Sequence, residues 1–464
     1  MSHARVLVIL ASAAVASAML MNAVDGFSAK KSLEAELAPD AGSYADRHAE
    51  RAIHLLEHGT LGDEIQPFLG GFARGPIEAG FIAIAFLLFG RTLWSVWILQ
   101  MAAFVLAVLL LYAISRRFLV GAWSMAPALM LALFWGASLY VFNLNNEIWC
   151  LVFILGFIYS LTRYDQHESP WQLLTAGASL SLLVLAKPIF EYFVPLAALL
   201  IVLSVSAKRE IKTVFVHSAF FAAAVLLIVG GWHVRNILVL GTPKISAGGH
   251  ALLIRAQSDV FSRDTTKGFF IASGLGDFIA DKIVPGYAST EEPRNSARQI
   301  FNVRRPELRR SGLSEFKTDD IFFHEAFAII REHPLRHVAL SIPWLFRMNS
   351  PPNYTGTVLD RLFVGSHTRI PDALKIIIVL AIRLPWYVFV GIAWWTAARV
   401  LYDGWRRASA LVWMAVLIFY TSAIYALLAH AEVRYALVIM PFYFLFFVLF
   451  FASRRGRETT MMSV

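Results

Sequence analysis

Carboxylates and imidazoles are concentrated in one polar stretch, residues 39–90, which follows the first apolar segment of the chain. Such side chains exchange protons in enzymes, so this stretch has the residue types for general acid–base chemistry. They are Asp40, Asp46, His48, Glu50, His54, Glu57 and His58. A second polar turn, Asp63-Glu64, and the triplet Arg74-Gly75-Pro76 follow before the next apolar run.

Asp40 lies just before a predicted amphipathic helix. Between residues 43 and 58 the apolar side chains recur at helical spacing, a pattern typical of a helix that lies on a membrane surface. Position alone favours a helix N-cap for Asp40, because its oxygen can accept from the first free N–H groups. Asp46, His48 and Glu50 fit the solvated face of the same helix.

The composition indicates a polytopic, all-α integral membrane protein. Of 464 residues, 58% are hydrophobic and only 16% are charged, more apolar surface than a soluble domain can bury. The single cysteine, Cys150, excludes an internal disulfide and offers no metal cluster. The net charge of +9 fits basic cytoplasmic loops better than nucleic-acid binding, and no basic–aromatic array for a nucleic acid occurs.

Ten membrane spans are predicted within a single membrane domain, residues 1–464. The first, 5–23, could instead be a signal peptide, and an uncleaved helix is favoured. Residues 77–89 rise about 20 Å, short of a hydrocarbon core of about 30 Å, so we expect a re-entrant or interfacial helix there. The other nine spans are 94–114, 120–142, 147–162, 171–186, 188–206, 212–232, 373–402, 408–428 and 434–452.

Basic residues orient this layout. With both termini in the cytoplasm, Arg116-Arg117, Arg163 and the tail arginines after 453 all lie inside, as the positive-inside rule requires. Counting 77–89 as a span would put Arg116-Arg117 outside. Two long outer loops result, 24–92 and 237–371. The second contains two amphipathic segments, 319–332 and 333–346, which are predicted to lie at the membrane interface.

The same layout gathers polar groups on the outer face. Ionisable residues at membrane depth are costly and usually functional. One isolated group could be a snorkelling anchor, but five clusters on one face indicate a shared cavity. They are the Asp40 loop, residues 143–147, Lys187-Pro188, residues 233–236 and residues 430–435.

These clusters resemble, in order along the chain, the motifs of bacterial GT-C membrane glycosyltransferases. That superfamily includes the dolichyl-phosphate-mannose protein mannosyltransferases and the lipid A aminoarabinose transferases. One departure is Glu78, where the family's Arg-Pro-Pro-x-Tyr-Pro has tyrosine. The matching stretches are Asp40-x-x-x-Tyr44, Arg74-Gly-Pro76, Leu99-Gln100, Asn146-Glu147, Leu185-Ala-Lys187-Pro188, Gly231-Trp232-His-Val-Arg235-Asn236, Arg331-Glu-His-Pro334-Leu-Arg336 and Glu432-Val-Arg434-Tyr435.

The resemblance implies a GT-C-type helical bundle that transfers a sugar, with inversion, from a polyprenyl phosphate to a hydroxyl. The acceptor would be a cell-envelope lipid, glycan or protein at the periplasmic face of the inner membrane. It makes Asp40 the candidate base, although one residue could be both base and cap. Arg434 and Arg235 become the phosphate pair, with interfacial anchoring as the alternative.

Further residues complete the expected substrate-binding set. Glu147 would hold sugar hydroxyls or hydrogen-bond its own loop. Lys187 and Arg74 are further phosphate cations, and Tyr44, Glu432 and Tyr435 belong to the same set. No cofactor is expected and metal use has no support, although an Asp40–Glu147 pair could bridge a hard cation.

Two other functions remain open. A transporter or flippase of a polyprenyl-linked saccharide also needs an outward cavity with cations. We would expect it to carry ionisable groups deep in its spans and on both sides, whereas here they cluster on one side. A catalytically inactive scaffold that binds lipid-linked sugar is the third possibility. The identity of the sugar and of the acceptor stays open.

Overall fold

The computed structural model describes residues 2–25, 48–61, 75–206, 210–287, 296–351, 371–404 and 409–454. Within these ranges every regular element is a helix, which confirms the predicted all-α class. In chain order the α-helices are α1 (His3–Asp25), α2 (His48–His58), α3 (Ile77–Phe89), α4 (Leu93–Ser115), α5 (Ala126–Ala132), α6 (Trp135–Ser138), α7 (Glu147–His167), α8 (Pro170–Ala186), α9 (Phe193–Ser206), α10 (Ile211–Val225), α11 (Gly231–Leu240), α12 (Gly249–Gln257), α13 (Arg263–Leu275), α14 (Asp277–Ile283), α15 (Arg305–Arg310), α16 (Glu315–Glu332), α17 (Pro334–Met348), α18 (Asp372–Gly404), α19 (Ala410–Leu428), α20 (Val433–Ala436) and α21 (Met440–Arg454).

Eight helical stretches in the described ranges are long and apolar enough to cross a membrane, or nine if one bent pair counts as a single span. Two of the ten predicted spans, 120–142 and 171–186, therefore do not meet this criterion as single helices. The predicted span 120–142 is broken into Gly121–Ala132 and Trp135–Phe142, which meet at 46°. The break lies at Phe134, whose backbone is extended (ψ 104°) and whose ring packs against Phe444.

The other short span is α8, with 17 residues, yet it runs the length of its neighbour α7. Asn146, just before α7, donates a hydrogen bond from Nδ2 to the carbonyl of Ala186, the last residue of α8. The two helices are therefore antiparallel, and α8 returns the chain to the end of the bundle where α7 began. The segment 77–89 forms the expected short helix, α3, with 13 residues.

The opposite end of the bundle is marked by contacts between other helix termini. Arg116, after α4, lies 3.3 Å from Nδ1 of His3 in α1, and the amide of Ala410 donates to Asp165 in α7 at 3.2 Å. The start of α1, the ends of α4 and α7 and the start of α19 thus lie together. This end carries Arg116 and Arg117, which are exposed. Which side of a membrane it faces remains a prediction.

A layer of helices, α12 to α17, covers the end of the bundle where α7 begins and α8 ends. In it α12 packs on α16 through Leu253 and Phe322, and Asp319 accepts a hydrogen bond from the Gly249 amide. Both amphipathic segments expected in the long outer loop are helical, as α16 and α17. The apolar side chains Leu335 and Val338 of α17 are exposed, in keeping with an interfacial position, which stays a prediction.

Candidate functional site

A buried ion pair lies where α7 begins and α8 ends. Nζ of Lys187 is 3.4 Å from Oε1 of Glu147, and the two side chains are only 7% and 3% exposed. Helix α8 ends just before Lys187, because Pro188 disfavours helical backbone at the residue that precedes it. Glu147 occupies the first turn of α7, where free N–H groups and the helix dipole stabilise a negative charge.

Two aromatic rings extend this pair towards the start of α20. Nζ of Lys187 lies 5.0 Å from the centroid of the Tyr435 ring, close enough for a cation–π interaction. The Tyr435 ring stacks on Tyr425 of α19, with centroids 4.4 Å apart and planes 10° from parallel. The guanidinium of Arg434 lies over the same ring at 5.2 Å. The positive charges of Lys187 and Arg434, which come from different parts of the chain, therefore both lie close to the Tyr435 ring.

Arg434 is itself fixed by an acidic neighbour. Its Nε is 2.6 Å from Oε2 of Glu432, whose other oxygen is 3.2 Å from Nε2 of His430. Burial raises the pKa of Glu432, but Arg434 and His430 outweigh it, so the pKa lies below its usual range and the carboxylate is ionised. The charge of Arg347 in α17 also lowers this pKa, to a smaller extent. Nothing in the sequence singled out Arg347.

Two polar atoms of this cluster can make a further hydrogen bond. Oε2 of Glu147 and Nδ1 of His430 are buried and have no hydrogen-bond partner among the described residues. Buried polar atoms in folded proteins are nearly always hydrogen-bonded, so these two positions are suited to a ligand or water. No group of three or more His, Cys, Asp or Glu side chains that could hold a metal ion occurs in the described part of the chain.

The segment after Arg74 packs directly against the end of α8. A Cβ on Gly75 would lie 1.6 Å from the carbonyl oxygen of Leu185, so only glycine fits there. Arg51 of α2 donates to the Gly75 carbonyl at 3.4 Å, which links the first loop to the same place. Arg74, Asp40 and Tyr44 lie outside the described residues, so their predicted roles remain predictions.

A second buried carboxylate supports the loop before α7. Glu78 is 1% exposed and accepts from Nε2 of Gln100 at 3.3 Å. The same amide donates to the backbone carbonyl of Asn143 at 3.0 Å, three residues before Asn146-Glu147. The residue that departs from the family pattern, Glu78, therefore helps to hold the loop that carries Glu147.

Arg235 lies in a different local group. Its guanidinium is 5.1 Å from the Trp232 ring, and Nη1 donates to Asn236 at 3.0 Å. Asn236 in turn donates to the carbonyl of Lys244 at 2.8 Å, at the entry to the outer layer. No contact found among the described residues joins Arg235 to Arg434, so the predicted phosphate pair remains a prediction.

The fold and this cluster together define a polytopic helical membrane protein with a charged site at one end of its bundle. Residues 73–232 match the family model of dolichyl-phosphate-mannose-protein mannosyltransferases, which is less than half of the chain but includes Glu147 and Lys187. Among curated protein sequences, none matches the chain.

Solved structures show the same fold. The chain is similar to the Archaeoglobus fulgidus oligosaccharyltransferase tethered with an acceptor peptide (14% identity, TM-score 0.50, 97% of this chain and 49% of that one). It is also similar to that enzyme in complex with Zn and sulfate (16% identity, TM-score 0.50, 97% and 51%). ArnT from Cupriavidus metallidurans, bound to undecaprenyl phosphate, matches at 13% identity and a TM-score of 0.40 over 92% of this chain and 77% of that one.

These matches confirm the expected likeness to the GT-C membrane glycosyltransferases and the expected helical bundle. The chain spans about half the length of the oligosaccharyltransferase that it matches.

Proposed function

We propose that this chain is an inverting membrane glycosyltransferase that moves a sugar from a polyprenyl-phosphate donor to a hydroxyl acceptor. The proposal rests on the placement of Lys187 and Arg434 on the Tyr435 ring. Beside them lies the buried Glu147 carboxylate, one oxygen of which has no hydrogen-bond partner among the described residues. Fixed cations at one end of an apolar bundle are what a lipid phosphate needs. The match to the mannosyltransferase family over residues 73–232 supports the same reaction class.

The reaction assigns a task to each group. The acceptor oxygen attacks the anomeric carbon of the sugar, opposite to the bond from that carbon to the phosphate, and this bond breaks. Asp40, the predicted base, takes the proton of the acceptor hydroxyl. Polyprenyl phosphate leaves with an additional negative charge, which Arg434 and Lys187 stabilise.

The remaining residues of the set bind substrate. Glu147, with one oxygen that has no hydrogen-bond partner among the described residues, accepts from sugar hydroxyls, and Glu432 and Tyr435 line the site. Tyr44 is predicted to bind substrate as well. Arg235 and Arg74 are further cations for the phosphate or for the approach of the lipid. The site faces the periplasm from the inner membrane, and the acceptor is a lipid, glycan or protein of the cell envelope.

The test is to incubate the purified protein with candidate polyprenyl-phosphate sugars and an acceptor and to measure the polyprenyl phosphate released. We expect release that depends on both substrates, and a product of inverted anomeric configuration. A transporter or flippase would leave the donor intact, so an unchanged donor across the candidates contradicts the proposal.

Arg434→Lys is the informative variant in this assay. It keeps the charge but loses the fork of the guanidinium, so release should slow at least about tenfold. Arg304→Lys is the matched control, since Arg304 pairs with Glu325 in the outer layer, away from the cluster. Equal rates for the two variants would remove Arg434 from the phosphate site.

A further inference from the structure

A buried charged network joins the outer layer to the membrane bundle just before the 430–435 segment. Arg255 of α12 is fully buried, and Asp259, one turn later, is also fully buried and lies 3.2 Å from it. Nε of Arg255 donates to the carbonyl of Ala426 in α19 at 2.7 Å, and Nη2 donates to Ser341 of α17 at 3.0 Å. Burial lowers the pKa of Arg255 to about 10 against the opposing effect of Asp259, so the guanidinium stays charged at neutral pH.

His337 of α17 completes this network. Its Nδ1 lies 2.6 Å from Oδ2 of Asp259, and its Nε2 lies 2.9 Å from the carbonyl oxygen of Leu427. A backbone carbonyl can only accept, so Nε2 is the donor in the contact with Leu427. His337 therefore connects the charged pair in the outer layer to the last turn of α19.

The contact with Leu427 lies next to the candidate site. The helix α19 ends at Leu428, and His430, Glu432 and Arg434 follow within the next six residues. Through the network, α17 and α12 hold the point from which this segment leaves its helix. The side chain of Ala431, in the middle of the segment, is fully buried.

We infer that His337 is a positioning residue that fixes the 430–435 segment through its hydrogen bond to the Leu427 carbonyl. The inference rests on the proposed function of that segment. The residue touches no reacting atom in this scheme, and it acts through the backbone that carries His430, Glu432 and Arg434.

Two substitutions separate this role from simple packing. An amide nitrogen of glutamine can reach the place of Nε2 and keep the donor to Leu427, whereas the shorter asparagine keeps only a donor towards Asp259. We expect His337→Asn to lower kcat about tenfold with little change in KM for the donor, and His337→Gln to retain most of kcat. His324→Asn is the matched control, because His324 is exposed on α16.

A second readout does not require turnover. In a Cys150→Ser background, Ala431→Cys reports whether the segment stays packed, since a thiol there should react slowly. We expect His337→Asn, but not His337→Gln or His324→Asn, to speed thiol labelling of Ala431→Cys about tenfold or more. Equal labelling rates for the Asn and Gln variants, whether slow or fast, would overturn the inference.

The two readouts also separate this inference from the proposed function. If the wild-type protein releases no polyprenyl phosphate from any donor, the proposed reaction fails. The labelling rates still decide whether His337 fixes the segment.

Discussion

Lys187 neutralises a buried carboxylate and also presents a positive charge to the candidate phosphate site. Removing it with Lys187→Met leaves the Glu147 carboxylate buried without a counter-charge, which we expect to cost about 3–5 kcal/mol of stability. The double variant Lys187→Met/Glu147→Gln removes both charges and should recover most of that loss. Thermal unfolding of the three proteins in one detergent measures the difference.

Turnover should not follow stability in this series. The double variant still lacks the cation proposed for the leaving phosphate, so it should remain slow although it is well folded. A double variant as unstable as Lys187→Met would show that the ion pair is not what stabilises this part of the bundle.

The substitution Asp40→Asn distinguishes a helix cap from a catalytic base. Asparagine caps a helix about as well as aspartate, so Asp40→Asn should be mild if the residue is only a cap. If it is the base, the rate of a single turnover should fall about a hundredfold or more, with donor affinity nearly unchanged. Both quantities are measured on wild type and variant in the same detergent, and normal turnover would return Asp40 to a capping role.

The sequence predicted clusters of polar residues because charge next to an apolar span is unusual. Glu147, Lys187, Arg434 and Tyr435 lie in those clusters, and the described contacts bring all four together, while their roles stay predictions. Arg347 could not be chosen, because it is one of two arginines in α17 and only the packing of α17 beside α20 brings its charge to act on Glu432. For the same reason nothing in the sequence predicted that His337 reaches Leu427.

One glycine just before helix α3 and one within it allow a matched experiment. The carbonyl of Leu185 occupies the space that a side chain at Gly75 would need, so Gly75→Ala must push the start of α3 away from α8. Gly80, within α3, has no atom within 4 Å of a Cβ, and alanine there gains about 0.5–1 kcal/mol of helix propensity. We expect Gly75→Ala to lose stability and most turnover, and Gly80→Ala to match or exceed wild-type stability.

This pair tests whether the first loop is part of the site. Thermal unfolding and polyprenyl-phosphate release are measured for both variants. Normal activity in Gly75→Ala would mean that the docking of Gly75 on the end of α8 has no part in the reaction.

Helix boundaries were predictable where local chemistry decides them, as at Pro188 after α8. The break at Phe134 was not, because the run 120–142 is apolar throughout. The Phe134 ring packs on Phe444 of α21 and stacks on Trp386 of α18, with ring centroids 5.9 Å apart. Both partners are distant in the sequence. Tertiary packing therefore overrode a locally helical pattern there.

The two ends of the bundle should face opposite sides of the membrane. Gln166, at the end of α7, and Ser311, in the outer layer, are both exposed, so each can be replaced by cysteine without disturbing a buried contact. Cys150 is fully buried and contributes little background. In right-side-out vesicles an impermeant thiol reagent should label Ser311→Cys at once and Gln166→Cys only after the vesicles are opened.

The opposite labelling pattern would invert the proposed orientation, and labelling of both sites would mean that the two ends share one side. Either result would refute the layout derived from the basic residues. Eight of the ten predicted spans are helices long and apolar enough to cross a membrane, and the contact between Asn146 and Ala186 shows that the short helix α8 makes the predicted antiparallel return.

Helix α18 has 33 residues and is therefore about 50 Å long, well beyond a hydrocarbon core of about 30 Å. Its first half is attached to the outer layer, by Asp372 to Lys282 at 2.7 Å and by Tyr387 to the Gly274 carbonyl at 2.8 Å. A thinner bilayer tilts a helix that is too long for it. Because α18 is fastened to α13 and α14, such a tilt would move the outer layer over the candidate site, and the acyl-chain length of the surrounding lipids would then control the rate of the proposed reaction.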